Sequence, residues 1–564
     1  MTINLGPNRK RPFMLPNILV FGVIRRPKNA ADEIHRAYSI HYWRQCKNTN
    51  ERMIVFIEFI LSPIFIIKEI REWLENLGDQ AAHHSNKSVL RQGLEQFYLA
   101  YFFSINPMNY YMQEFYKDDG LRRARYFVNE NATKHGAYQL LKRYGRYINR
   151  TSPAPSLAHK AKFSRFCMDN GIPVVPTLAE VNGNGTIKTY CESIDPTIGL
   201  PERDFFCKPN IAKRGSGAEI WFWQGADQYK NHEGKILTSL ELKDRIIELA
   251  CQEGKYIVQP LILPHPKLNP FRKKATPSLR IITYIDGKGK VKVDSARFKF
   301  STDPAAIVDN TFSGALVAPV DTSTGELDYA IDNGLKIPCN RWETHQDNGV
   351  PIKGFILPFA KEAIDLAKRG HSIMKSYLVI GWDIAIGSEG PIIIEGNSQP
   401  DSDFLQRTYL LPLGKSDLGA TVATHLNQAL RTLYNGVVGA KKKPGKGTID
   451  LFGGPQVIRL VKCLFFNKSI SVKLIINGKV QGVGYRKWLR KQAIGRNVDG
   501  WIRNREDGSV EVVLRGRAVD IEDVAKLCWV GTPKSEVTKI RAKRYFKHIK
   551  PGFRTKKAKA TQVL

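Results

Sequence analysis

The chain has 564 residues, 42% of them hydrophobic and 25% charged, which excludes an intrinsically disordered polymer and leaves room for several domains of about 150 residues each. Its 86 Lys and Arg outnumber 53 Asp and Glu, for a formal net charge of +33, so partners are expected among polyanions: nucleotides, nucleic acid, anionic lipid or acidic polymer. The eight cysteines (Cys46, Cys167, Cys191, Cys207, Cys251, Cys339, Cys463 and Cys528) show no C-x-x-C spacing and no clustering with histidine, which argues against a zinc site or disulfide frame and for reduced thiols in a cytosolic setting.

In chain order, the first apolar stretch is 13–24, broken by Pro16 and Asn17 and closed by Arg25 and Arg26. No small-residue cleavage site follows it, so it is not read as a signal peptide. Residues 53–67 are apolar but contain Glu58 and Pro63, and they fall short of the roughly 20 residues a membrane span needs. A buried helix is expected there, with an interfacial helix as the alternative. The chain is therefore expected to be cytoplasmic or membrane-peripheral. "REWLENL" and "LRQGLEQFYLAYFF" read as amphipathic helices, "LLKRYGRYINR" as a basic helix, and "TSPAPS" as a boundary. Residues 1–155 are expected to be mainly helical.

From 156 to 435 helix and strand patterns alternate. "HKAKFSRFCMDNGIPVVPTL" predicts a helix, a stop at Gly171 and a strand. Strands follow at "RDFFCKPN", "YIVQPLI", "SLRIITYI", "KVDSARFKF", "YLVIGWDIAI" and "PIIIEGN", a mixture expected of an α+β or α/β enzyme domain. In "FFCKPNIAKRGSGAEIWFW", Lys208 ends a strand, and a basic loop with Lys213, Arg214, Gly215, Ser216 and Gly217 follows. Such a loop is a solvated hairpin or a flap over nucleotide phosphates. "GWDIAIGSEGPIIIEGN" reads as a hairpin. If Ile386 pairs with Ile392, Asp383 lies opposite Glu395, and Asn397 shares their face. Two carboxylates and an amide oxygen among apolar neighbours suit a hard cation such as Mg²⁺.

Residues 436–468, rich in glycine and lysine at their start, read as a linker. Residues 469–546 follow a compact βαββαβ pattern, and 547–564 read as a basic, solvated tail. Within the compact unit, "INGKVQGVGYRKWLRKQA" runs a strand into a loop with Gly478, Gly482 and Gly484 and then into a helix near Tyr485. Glycines let the backbone turn its N–H groups into one concavity, and a helix N-terminus adds favourable potential for an anion. Arg486 brings a guanidinium fork that matches phosphate oxygens. Loop, helix end and arginine together make a small phosphate cradle. No zinc finger or aromatic RNA-binding motif appears, so no specific nucleic acid is expected.

The motifs "GKVQGVGYR" (478–486) and "GWIRNREDGSVEVVLRG" (500–516), with the closing "VTKIRAKRY", resemble acylphosphatases. The resemblance implies a ferredoxin-like fold, phosphate binding by Arg486, and N–H groups from Gln481, Gly482, Val483, Gly484 and Tyr485. It also implies that Asn504 orients the attacking water. "HKAKFSRFCMDNGIPVVPT", "CKPNIAKRGSGAEIW", "IVQPLI", "SLRIITYI", "VDNTFSGALVAPVDTSTGEL" and the Asp383–Asn397 hairpin are similar to ATP-grasp proteins of the sugar-transfer associated branch, related to the glutamate-ligase type. This likeness implies that Lys208 and either Lys162 or Lys160 contact ATP phosphates, and that Lys213, Gly215 and Gly217 lie in a closing loop. It further implies that Gln259 to Leu261 hold adenine through backbone groups, that Arg280 faces the phosphates or the acyl phosphate, and that Asp383, Glu395 and Asn397 hold Mg²⁺. "FSGAL" lacks the double glycine expected near Gly314.

The expectation is therefore an α+β multidomain enzyme that forms an acyl phosphate from ATP and a carboxylate for ligation, fused to a unit that hydrolyses acyl phosphates. The alternatives are an ATP-grasp enzyme of cell-surface polysaccharide synthesis and a basic anion or nucleic-acid binder with a vestigial acylphosphatase unit.

Overall fold

The computed structural model describes residues 19–21, 26–46, 49–150, 154–192, 194–211, 217–309, 314–434, 470–516, 518–545, 548–549 and 551–556. The chain divides into two units, Met1–Asn435 and Gly436–Leu564. The expected linker, most of the 13–24 stretch, and Lys213 and Gly215 lie outside the described residues. Among the described residues no helix is long and apolar enough to cross a membrane, and seven cysteines stand outside any disulfide.

The first unit is built on two antiparallel sheets. One contains β1 (Ala179–Val181), β2 (Ile187–Thr189), β3 (Phe205–Pro209), β4 (Glu219–Gly225), β5 (Gln228–Asn231), β6 (Ile236–Thr238) and β7 (Tyr256–Pro260), in the order β2-β1-β7-β3-β4-β5-β6. Alternation sends Phe205, Cys207, Tyr256 and Val258 to one face, where Leu242, Ile246 and Ala250 of helix Ser239–Glu253 cover them. That helix starts at a capping box, Thr238 with Glu241. Phe206, Lys208, Ile257 and Gln259 are left on the opposite face.

The other sheet contains β8 (Ser278–Ile285), β9 (Val291–Ser301), β10 (Ala315–Val320), β11 (Val379–Gly387) and β12 (Gly390–Asn397), ordered β10-β9-β8-β11-β12. Leu279, Ile281, Ala296, Phe298, Phe300, Trp382 and Ile384 form a core with helix Ala360–Ser372. The intervening residues meet on the other face. One rung there runs Pro319, Arg297, Arg280, Asp383, Glu395 across all five strands.

The hairpin register differs from the sequence expectation in one detail. Ile386 pairs with Pro391 and Ile392 with Ala385, but a β-bulge between Asp383 and Ile384 restores the pairing of Asp383 with Glu395.

The N-terminal residues are mainly helical, as expected, but they do not stand apart. Ala31, Ile34, Tyr38, Leu140 and Leu141 share a core with helix Asp417–Tyr434 and with Ile282, Tyr284, Leu378 and Val379 of the second sheet and its approach. Residues 53–67 lie within helix Thr49–Trp73. The buried-helix expectation holds for one side only, since Ile60, Ile64 and Ile67 are 55%, 65% and 57% exposed. Apolar content set that expectation, but packing against helix Val89–Phe103 covers a single stripe.

The C-terminal unit contains β13 (Ile470–Lys479), β14 (Asp499–Asn504), β15 (Val510–Gly516), β16 (Glu536–Arg544) and β17 (Phe553–Thr555), ordered β16-β13-β15-β14-β17. Helices Tyr485–Ile494 and Ala518–Val530 cover one face, joining Leu489, Ala493, Val524 and Cys528 to Leu474, Ile502, Val512 and Leu514. This is the expected βαββαβ order. The expected solvated tail is corrected, because β17 pairs parallel with β14 and Ile549 and Phe553 are buried. Two apolar anchors outweigh the basic composition around them.

Candidate functional site

The C-terminal unit carries a loop between β13 and helix Tyr485–Ile494. Gly482 and Gly484 have φ of 71° and 74°, and a Cβ on either would meet nothing within 4 Å. They are needed for backbone conformation, not for room. Among described residues no acceptor is bonded to the backbone N–H of Gln481, Gly482, Val483, Gly484 or Tyr485. These open donors lie at the helix N-terminus, where the backbone favours an anion. Gly478 serves the sheet instead: at φ 123° its Cβ would lie 2.0 Å from the Glu536 carbonyl oxygen.

The loop is braced on two sides. The Gln481 side-chain amide donates to the carbonyls of Arg505 and Ser509, both at 2.8 Å. The Thr532 hydroxyl donates to the Val483 carbonyl at 2.9 Å. Tyr485, buried, anchors the helix start by donating its hydroxyl to the Cys528 carbonyl. Gln481 therefore ties the loop to the residue that follows Asn504. The Asn504 Oδ1 is buried with no hydrogen-bond partner. A buried acceptor left open costs about 1–3 kcal/mol, a cost that a bound donor such as water would remove. Arg486, half-buried, makes no ion pair with any described residue.

The second site lies on the polar faces of the two sheets of the first unit. Asp383 is buried and receives Arg280 Nε at 2.5 Å and Nη2 at 2.8 Å, with Lys299 Nζ at 3.4 Å. Burial works against its charge, but Arg280 and Lys299 outweigh it and hold the carboxyl below the usual range. Asn397 Nδ2 donates to Glu395 Oε1 at 3.0 Å, so the third residue of the trio is already aligned with the second. Burial pushes Lys208 down to about 8, with Glu395 pulling the other way. Burial also lowers Lys160, again against the pull of Glu395. The lysine of one sheet thus faces the carboxylates of the other, with Lys160 beside it.

Lys160 and Lys162 part company. The Lys160 ammonium donates to the Pro209 carbonyl at 3.3 Å, whereas Lys162 lines a hollow on the other side of helix Lys160–Asp169. Gln259 is buried, and its amide donates to the Val175 carbonyl at 3.2 Å. The Leu261 N–H reaches the Asp204 carbonyl at 3.4 Å. Gly217 has φ of 71°, the turn that leads the loop back into β4.

Arg297 and Lys299 were not read from the sequence as site residues. Both are buried beside Arg280 and Asp383. Their signal was available: basic residues at alternate positions of the otherwise apolar "ARFKF" share one strand face. Among described residues no group of three or more His, Cys, Asp or Glu is placed to hold a metal. The trio Asp383, Glu395 and Asn397 supplies two carboxylates and one amide, an oxygen donor set that fits Mg²⁺.

Comparison with known proteins matches both of the regions that carry these residues. Residues 139–410 match the family model described as sugar-transfer associated ATP-grasp, and residues 472–555 match the acylphosphatase model. An acylphosphatase of Bradyrhizobium diazoefficiens is 44% identical over 69 residues, 12% of this chain and 70% of that one. An acylphosphatase of Acidiphilium cryptum is 38% identical over 84 residues, 15% of this chain and 92% of that one. Among solved structures, D-alanyl-alanine synthetase A from Vibrio cholerae O1 biovar eltor aligns at 12% identity over 48% of this chain and 65% of its own, with a TM-score of 0.29.

Proposed function

The chain belongs to the acylphosphatase family through its C-terminal unit, and on that premise we propose that this unit hydrolyses acyl phosphates made by the ATP-grasp domain preceding it. The observation that carries the first half is the open, buried Asn504 Oδ1 beside a loop of unbonded N–H groups. The loop and Arg486 clamp the phosphoryl oxygens. Asn504 accepts a hydrogen bond from water and aims its oxygen at phosphorus. The new P–O bond forms as the bond to the acyl oxygen breaks. The carboxylate leaves, and the water proton ends on phosphate. Positioning and charge stabilisation suffice for so good a leaving group.

In the ATP-grasp domain, Asp383, Glu395 and Asn397 would hold Mg²⁺, which supplies charge neutralisation at the phosphates when bound. Lys208, Lys160 and Arg280 offset the remaining phosphate charge. A substrate carboxylate oxygen attacks the γ-phosphorus, the bond to the β,γ-bridging oxygen breaks, and ADP departs with an acyl phosphate left behind. Lys208 holds phosphates only as the cation. Its folded value near 8 means that affinity for Mg-ATP is full below that pH and falls above it, by about tenfold per pH unit once the lysine is neutral. Titrating Mg-ATP between pH 6.5 and 9.5 should show that fall, and Lys208→Arg should move it beyond the range.

The test of the whole reading uses Asn504→Ala, in which an acyl phosphate would survive. The variant is incubated with Mg-ATP, pooled carboxylates and hydroxylamine, and hydroxamates are sought by mass spectrometry. A hydroxamate that requires Glu395 identifies the carboxylate. ADP release without any hydroxamate would sink the carboxylate reading. The description of the matched model, sugar-transfer associated, favours a second reading: transfer linked to a saccharide polymer, for which ADP release should rise with added saccharide.

A further inference from the structure

A hollow of about 610 Å³ opens beside helix Lys160–Asp169, lined by Lys162, Arg165, Lys188, Tyr190 and Lys255 among others. None of Lys208, Arg280, Asp383, Glu395 or Asn397 lines it. At about 100° per residue, Lys162 is turned roughly 200° from Lys160, so the two lysines leave the helix in different directions, and the hollow's Glu180 and Lys188 lie two and three strands away from Lys208 on its sheet. The volume is that of a small-molecule site.

Its cations outnumber the one carboxylate, Glu180, four to one. Lys162, Lys188 and Lys255 have no ion-pair partner among the described residues, and Arg165 reaches only Asp169, at 3.9 Å on the exposed surface. Glu180, the carboxylate in the lining, is taken up by the Tyr190 hydroxyl. The Tyr190 ring carries Lys188 Nζ at 4.9 Å and Arg165 Cζ at 5.8 Å from its centroid, which holds two cations towards the same space. Lys188 also sits opposite Glu180 in the β1–β2 register, so a short rigid hairpin positions it.

We propose that this hollow is a second anion site, separate from the nucleotide-facing carboxylates, for a small, multiply charged oxyanion such as a phosphate ester or a polycarboxylate. Four cations around about 610 Å³ exceed what a single phosphate needs.

Inorganic pyrophosphate and citrate are the probes, titrated calorimetrically into the full chain carrying Lys160→Ala, Lys208→Ala and Arg486→Ala, which weaken the two phosphate sites above. One binding site should persist and weaken with salt. Adding Arg165→Gln and Lys188→Gln should weaken it by at least about tenfold, as expected on losing charge-assisted contacts. Both side chains are exposed, and an unchanged melting temperature verifies the fold. Should the double substitution fail to fold, Lys255→Gln alone must still weaken binding. Tighter pyrophosphate binding assigns the phosphate-ester class, and tighter citrate binding the polycarboxylate class. Loss of all binding in this background, or persistent binding that ignores these substitutions, overturns the proposal.

Discussion

Arg486→Ala is expected to lower kcat/KM for hydrolysis of benzoyl phosphate by about 10²–10³-fold, the scale found when a preorganised donor to developing charge is removed. The loss should appear in both KM and kcat, because the guanidinium meets the phosphoryl group before and during transfer. Arg486→Lys restores the charge but not the fork, so it should recover only part of the loss. Asn504→Ala should behave differently. Its Oδ1 faces no protein donor, so its removal strands nothing. The expected result is a similar fall in kcat with KM nearly unchanged, and a melting temperature equal to or above that of the parent. An Asn504→Ala enzyme with normal kcat would end the assignment of water positioning to this residue.

The second large effect separates two carboxylates that look equivalent in sequence. Glu395→Gln and Asp383→Asn should each reduce Mg-dependent ADP release by at least about a hundredfold, since each removes a charged oxygen donor from the proposed Mg²⁺ set. Their stabilities should differ. Asp383 is buried between Arg280 and Lys299; Lys299 also has Asp309, but removing the Asp383 charge takes from buried Arg280 its ion-pair partner, a loss of roughly 3–5 kcal/mol. Among the described residues Glu395 has no ion pair of that kind; its hydrogen-bond partners are the Asn397 amide and Asp383. Thermal unfolding should therefore fall by several degrees for Asp383→Asn and stay near the parent value for Glu395→Gln. Full ATP turnover by Glu395→Gln would refute the metal role.

Much of this was legible in the sequence, for identifiable reasons. Arg486 and Asn504 sit in contiguous motifs whose geometry is local: a loop, a helix start, a hairpin end. Asp383, Glu395 and Asn397 were placed on one face by alternation, although the pairing assumed for Ile386 was one residue out. The bulge cancelled that error, and no single-strand pattern announces a bulge. Lys160 could not be preferred over Lys162, because that choice depends on which sheet the helix lies against. The short strands β1, β2, β5 and β6 carry too few residues to show a period. β17 was hidden because Phe553, and Ile549 just before the strand, stand among lysines and arginines. The exposed side of helix Thr49–Trp73 was hidden for the opposite reason, since apolar content alone does not say how many neighbours a helix has.

The rung Arg297, Arg280, Asp383, Glu395 also sorts charge by strand: both cations lie on β9 and β8, both anions on β11 and β12. Backbone dipoles largely cancel across a sheet, so this polarity comes from side chains alone. It gives the face a direction perpendicular to its strands. A ligand with an anionic end and a cation-bearing end then has one favoured orientation and one disfavoured by like charges at both ends.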